Sequence, residues 1–327
     1  MFITPKRKAK FFKNLGLTKL PYLPSILGLE TGNICNLRCP LCPTGSNQEG
    51  LQKGFMKLSL FKIAVNQLID SLVAINLFSW GEPLLNKDLI AMIEYIKIIK
   101  PSIKITTSTN LNFTDKNIIA LLVKSGIDEI IVSCDGVSAQ TYSQYRVGGD
   151  FNLVIENLKF LAQKNKEFKR STLIVWNFLV FKHNEHEIEQ ARRMAESFGL
   201  NFRAGFIRTS MKDEILKDHR QSIEKDLDWI PNNPQYSAYD KEKKITKKII
   251  KTCRKPWQEI SINWDGKVFP CCAIYGDIYS LGNINEHNIK IIWNSQIYQQ
   301  ARKEIMGKCK TKDTICGICK SHGFTHM

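Results

Sequence analysis

From about Ser25 to Arg208, short runs rich in apolar and β-branched residues alternate with longer stretches whose apolar positions recur at helical spacing. The runs around Ile26–Glu30, Ile75–Trp80, Ile103–Thr109, Glu129–Cys134, Leu173–Val180 and Phe202–Ile207 predict six strands. Between them, Ser59–Leu72, Lys87–Ile99, Asp115–Ser125, Phe151–Gln163 and Glu185–Phe198 predict helices, with Thr114 and Asn184 as candidate caps. Such alternation builds a parallel sheet with helical crossovers, and right-handed connections curl six units into an α/β fold, an open, partial TIM-like (β/α)6 barrel. Active sites in these sheets lie at the carboxyl ends of the strands.

That rule picks out one rim. The loop after the first strand holds Cys35, Cys39 and Cys42, and later strand ends carry Gly81-Glu82-Pro83, Ser108 with Asn110, Ser133 with Asp135-Gly136, and Asn177. Turn chemistry alone accounts for any one of these polar residues. The ordered set beside three cysteines predicts a site.

Residues 1–24 form a basic extension, 25–210 the barrel, 211–251 a charged linker around Pro231-Asn232-Asn233-Pro234, and 252–327 a small α+β unit. The last unit holds six of the ten cysteines, an apparent hairpin over Ile260–Cys271 turning at Asp265-Gly266, and a helical stretch around Ile289–Ile305. The first twenty residues carry six basic side chains and no acidic one, but lack the apolar run of a signal peptide, so packing on the main domain is expected. No later run is long enough to cross a bilayer. Cysteines gathered in short-spaced sets in a chain of 327 residues favour metal binding in a reducing compartment over disulfides, which makes the cytoplasm the expected location.

Charge changes the picture modestly. With 47 Lys+Arg against 31 Asp+Glu, a formal charge of +16 attracts anions such as phosphorylated sugars. No recognition module with interleaved aromatics accompanies it, so nucleic acid is not an expected partner.

Cys35-Asn36-Leu37-Arg38-Cys39-Pro40-Leu41-Cys42 places three thiols in one loop with no fourth nearby. Thiolates are soft donors suited to iron–sulfur clusters, and a cubane held by three of them leaves one iron open to a small ligand. Structural zinc prefers four filled positions, and here the fourth ligand would come from far away.

The Cys-x3-Cys-x2-Cys pattern after a first strand resembles the radical S-adenosylmethionine superfamily. The resemblance implies that the open iron of a four-iron, four-sulfur cluster chelates S-adenosylmethionine, and that reduction cleaves it to methionine and a 5′-deoxyadenosyl radical. It further implies cofactor contacts for matching residues. Leu41 adjoins the adenine, Trp80-Gly81-Glu82-Pro83 resembles a Gly-Gly-Glu-Pro motif that meets the amino group, and Trp80 replaces its first glycine. Ser108, Asn110 and Ser133 resemble ribose- and carboxylate-facing residues, and Arg146 resembles an arginine that pairs with the methionyl carboxylate. A guanidinium fork suits a carboxylate, although a surface salt bridge would use Arg146 equally well.

Cys253, Cys271, Cys316 and Cys319, with Cys253-Arg254-Lys255-Pro256-Trp257 and Gly266-Lys267-Val268-Phe269-Pro270-Cys271-Cys272, resemble the SPASM or shorter twitch extension of that superfamily. This implies one auxiliary four-iron, four-sulfur cluster, while the spacing also permits a four-cysteine zinc site. Cys272 and Cys309 stay unassigned, and Cys134 reads as a small buried hydrophobe. His183 and His186 read as a helix start, and Glu304 and Asp265 as structural. The expectation is an enzyme that abstracts hydrogen from a sugar-like or other small molecule, fed electrons by a flavodoxin or ferredoxin, with a peptide substrate or a non-catalytic metal protein as alternatives. The sequence singles out no general base.

Overall fold

The computed structural model describes residues 4–47, 52–209, 223–247, 253–271, 277–309, 311 and 313–322. The parallel strands β1 (Ile26–Leu29), β2 (Ala74–Asn76), β3 (Lys104–Thr109), β4 (Glu129–Ser133), β5 (Leu173–Val180) and β6 (Asn201–Phe206) lie side by side in chain order. In register, Leu27 faces Ile75, Ile75 faces Ile105, and Ser133 faces Asn177. Helix α1 (Pro5–Asn14) precedes the sheet. The crossovers carry α2 (Leu58–Asn66), α3 (Leu89–Ile99), α4 (Lys116–Lys124), α5 (Ala139–Tyr145), α6 (Phe151–Glu167) and α7 (Ile188–Ser197). Because helices cover the sheet, its strands read as near-continuous apolar runs, and Leu27, Leu29, Ile75, Ile105, Ile130, Val132 and Trp176 are fully buried. The result is the expected partial α/β barrel.

Four local details differ from the sequence reading. Strand β2 ends at Asn76, four residues before Trp80, with the Leu77 amide still donating to Thr106 O of β3 at 2.8 Å, and residues 78–80 lie beyond the strand. Asp115, not Thr114, caps α4 by accepting from the Asn117 amide. Asn184 caps nothing, since its side chain donates to the Asp135 and Leu179 carbonyls and accepts from the Phe181 amide. Helix α5, capped by Ser138, is an addition, and its short polar sequence explains why periodicity did not reveal it.

The larger difference lies at the sheet edge. Strand β9 (Glu259–Ile262) pairs in parallel with β1, and β10 (Val268–Phe269) pairs antiparallel with β9, giving eight strands in the order β10-β9-β1-β2-β3-β4-β5-β6. The predicted hairpin turns through Gly266, whose φ of 92° favours glycine. Covering β1 removes an exposed edge with unpaired backbone groups. Residues 223–247, with the small hairpin β7 (Tyr239–Asp240) and β8 (Ile245–Thr246), are not a bare linker. Their Ile223, Ile230 and Tyr239 form a second apolar cluster with Leu37, Cys39, Leu41, Tyr145 and Phe181, over the cysteine loop.

The chain finishes with α8 (Ile289–Trp293), α9 (Gln296–Met306) and α10 (Ile315–His322). The expected single stretch over Ile289–Ile305 breaks where Ser295 caps α9. The N-terminal extension is tied to this unit, for Asn294 brackets Leu20 by two hydrogen bonds of 2.8 and 3.0 Å. Among the described residues no helix is long and apolar enough to cross a membrane.

Candidate functional site

The loop after β1 is fastened at several points. Ile34 O accepts from the Glu82 amide at 2.9 Å, the Arg38 amide donates to Val147 O at 2.9 Å, and Asn36 Nδ2 donates to Asn112 O at 2.9 Å. Gly81 is required by the closeness of this packing, because a Cβ there would stand 2.2 Å from Gly32 O. These ties hold Cys35, Cys39 and Cys42 against the carboxyl ends of the strands, where a cavity of about 360 Å³ opens. All three thiols line it, as do Leu41, Trp80, Gly81, Glu82, Ser108, Asn110, Ser133 and Arg146. The structure therefore brings every predicted residue of the first site to one cavity. Phe206, the last residue of β6, and Arg208 and Thr209 beyond it close its other side.

Glu82 is buried at the base of this wall. Its Oε2 accepts from the Asn110 amide at 2.7 Å and its Oε1 from the Leu84 amide at 3.1 Å. Burial nevertheless pushes its carboxyl up to about 7, which these hydrogen bonds and Arg146 only partly oppose. A carboxylate so placed gains from an incoming ammonium, which would restore its charged form. Asn110 extends the network through Nδ2, which donates to Asn36 Oδ1 at 2.8 Å and lies 3.7 Å from Cys35 Sγ.

Arg146 follows α5 directly. Its Nε donates to Asp135 Oδ2 at 2.6 Å, and Nη1 stands 3.8 Å from Cys39 Sγ. Burial works to discharge the guanidinium, but Asp135, Cys39 and the tyrosines Tyr145 and Tyr142 together hold its pKa well above the usual value. Asp135, fully buried, was placed on the rim by the sequence pattern but not singled out as the partner of Arg146. The signal available was an ionisable residue at the end of an apolar strand. Arg208 was also missed, and Asn177 lies outside the site, accepting from Arg203 Nε.

Among the described residues no three metal-ligating side chains converge on a single ion. The thiols of the first loop instead ring a cavity wall, which fits a cubane whose corners each take one thiolate. The Leu37 amide donates to Cys35 Sγ at 3.4 Å, a contact of the kind that tunes cluster sulfurs. Burial pushes the Cys39 thiol up to about 11, so a bound cation is what would hold it as thiolate.

The second cysteine set is also brought together. Cys253 precedes a short 3-10 turn at Lys255–Trp257, Cys271 follows β10, and Cys316 and Cys319 lie on α10. All four are buried. Burial raises the Cys316 thiol well above its usual value, and Cys271, Cys253 and Cys319 add to the shift in that order. Four soft donors without an open position fit a fully ligated cluster. Cys309 stands apart, half-buried, accepting from Gln300 Nε2 at 3.3 Å, and Cys272 lies outside the described residues. Cys134, one residue past the end of β4, is fully buried in the core, a small buried hydrophobe as expected.

Comparison with known proteins agrees with this arrangement. The radical SAM superfamily matches residues 29–195, and an iron–sulfur cluster-binding domain, SPASM, matches residues 253–321. The AdoMet-dependent heme synthase of Methanosarcina barkeri is 24% identical over 92% of this chain and 92% of its own length. The antilisterial bacteriocin subtilosin biosynthesis protein AlbA of Bacillus subtilis is 26% identical over 91% of this chain and 66% of that protein. Among solved structures, BtrN in complex with AdoMet and 2-DOIA has a TM-score of 0.55 at 20% identity, covering 92% of this chain and 93% of that one. SuiB of Streptococcus suis, bound to S-adenosylmethionine, has a TM-score of 0.63 at 16% identity, covering 91% and 71%. These likenesses fix the fold, and the cofactors that follow from the two matched families are S-adenosylmethionine, its four-iron, four-sulfur cluster and auxiliary iron–sulfur ligation. With a barrel whose rim gathers Cys35, Cys39 and Cys42 and a C-terminal unit that gathers four more cysteines, this chain belongs to the radical SAM superfamily and carries a SPASM domain.

Proposed function

We propose that the chain abstracts a hydrogen atom from a small anionic molecule, sugar-like in size, in the cavity between Cys39 and Arg208. Cys35, Cys39 and Cys42 would hold the cluster and Cys253, Cys271, Cys316 and Cys319 the auxiliary one. When bound, the first cluster and S-adenosylmethionine supply a 5′-deoxyadenosyl radical, and the auxiliary cluster supplies an electron acceptor.

The protein's own groups divide the cavity. Glu82 orients the cofactor's ammonium, Arg146 its carboxylate, and Leu41 borders its adenine. Trp80 and Gly81 offer backbone groups, while Ser108, Asn110 and Ser133 offer polar contacts beside them. Arg208 carries the substrate reading, because it contributes a cation to the same cavity. Guanidinium recognises carboxylate and phosphate through its planar fork. Phe206 and Leu179 add apolar surface to the same cavity.

The overall positive charge favours an acidic electron carrier of flavodoxin or ferredoxin type, consistent with a cytoplasmic setting. Relatives with similar identity serve heme synthesis in one case and bacteriocin biosynthesis in the other, so the substrate must be tested directly. Anaerobically reconstituted protein is incubated with reductant and S-adenosylmethionine, with phosphorylated or carboxylated sugars deuterated in turn. Reductant-dependent 5′-deoxyadenosine carrying substrate deuterium is the expected result. Turnover only with a precursor peptide removes the small-molecule reading, and zinc alone at Cys35, Cys39 and Cys42 removes the enzyme.

A further inference from the structure

Arg302, on α9, is fully buried, and among the described residues no carboxylate pairs with it. Its Nε donates to Pro256 O at 2.8 Å and its Nη1 to Thr18 O at 2.6 Å. The guanidinium lies between two aromatic faces, 4.4 Å from the centroid of Trp293 and 4.5 Å from that of Tyr298. Nη2 is buried with no hydrogen-bond partner. Carbonyl oxygens and aromatic faces soften the burial of a cation, yet they do not neutralise it. A buried charge without a counterion is among the costlier features a fold can retain, so a missing anion is the economical explanation.

The neighbourhood supplies one. Pro256 lies in the short turn at Lys255–Trp257, three residues after Cys253, and α9 packs on both that turn and α10, which bears Cys316 and Cys319. Burial works against the charge of the guanidinium, and among the groups that oppose this, after Tyr298 and Tyr22, is Cys316. A four-iron, four-sulfur cluster with four thiolates carries net negative charge before and after one-electron reduction, and net charge is one of the levers on its potential.

We propose that Arg302 is the counter-charge of the auxiliary cluster, a positioning residue that raises its reduction potential by stabilising the more negative, reduced form. The proposal rests on the assignment of Cys253, Cys271, Cys316 and Cys319 to that cluster. It gives the buried Nη2 a purpose that a packing role does not. It also links α1 and the N-terminal extension, through the Thr18 carbonyl, to the redox site.

The test uses the full chain with Cys35, Cys39 and Cys42 all replaced by Ala, reconstituted anaerobically, so that the auxiliary signal is seen by itself in a potentiometric titration followed by electron paramagnetic resonance. Arg302→Met is expected to lower the midpoint, so that at a fixed potential the reduced-to-oxidised ratio falls about tenfold, or 59 mV for one electron. Arg302→Lys, which keeps the charge, is expected to restore most of that shift. A purely structural residue would change the melting temperature and leave the midpoint in place. An unchanged midpoint in Arg302→Met with full iron content overturns the proposal. If Arg302→Met loses the native circular dichroism, Arg302→Gln is titrated in its place, and loss of fold in both assigns the residue to structure and overturns the proposal as well. A signal that survives Cys316→Ser instead overturns the ligand assignment beneath it.

Discussion

Arg146 Nε donates to Asp135 Oδ2 at 2.6 Å, so the guanidinium predicted to meet a cofactor carboxylate already holds a carboxylate of the protein. Asp135 is fully enclosed, with Oδ1 accepting from the Leu179 amide at 2.7 Å. One edge of the guanidinium is thereby fixed beside the ends of β4 and β5, while Nη1 stands near Cys39 and the residue lines the cavity.

Replacing Asp135 by Asn should therefore strand a buried cation. Breaking a buried pair from one side costs about 3–5 kcal/mol. Urea denaturation should report a loss of that order, and equilibrium dialysis should report weaker S-adenosylmethionine binding, since Arg146 is no longer aimed.

Glu82 gives a pH dependence with a defined sign. Burial raises its folded pKa from 4.5 to about 7. The folded state holds the proton more tightly than the unfolded state, so this contribution is fully present below about 4.5 and is lost as pH rises through about 7. The total is about 3 kcal/mol. Melting temperatures of metal-free protein should fall across that window by more than those of Glu82→Gln. Bound S-adenosylmethionine should reduce the fall, because its ammonium stabilises the carboxylate.

Iron content should separate the two metal sites. Two four-iron clusters predict about eight irons and eight sulfides per chain. Cys39→Ala should fall to about four irons and lose reductant-dependent 5′-deoxyadenosine. Cys316→Ala should also fall to about four while retaining S-adenosylmethionine cleavage. Iron assay and chromatography of the nucleoside measure both.

Glu304 should matter to the auxiliary site without touching metal. Its carboxylate accepts from the Asp313 amide at 3.0 Å, the Thr314 amide at 3.3 Å and the Thr314 hydroxyl, immediately before the helix that bears Cys316 and Cys319. Glu304→Ala leaves buried donors unsatisfied, at about 1–3 kcal/mol for each. Reduced iron occupancy with a lower melting temperature is expected, and the Cys35–Cys42 loop should keep its own iron.

The parts read correctly from sequence share a cause. Strand and helix periodicity is written in consecutive residues, so the six-fold βα alternation and the rim location of the site followed from pattern alone. The spacing of Cys35, Cys39 and Cys42 in one loop is equally local. Cys253, Cys271, Cys316 and Cys319 were legible as a set because each sits in a short motif of recognisable composition.

What remained hidden depends on contacts between distant segments. No local pattern says that β9 will pair with β1, that Ile223, Ile230 and Tyr239 will roof the cysteine loop, or that Asp135 will capture Arg146. The sequence by itself determined the barrel, the donor types and the rim on which chemistry lies. The tertiary structure decided how charges pair, which places Arg208 in the cavity and, among the described residues, leaves Arg302 without a carboxylate, because electrostatic partnership is set by distance in space and not along the chain.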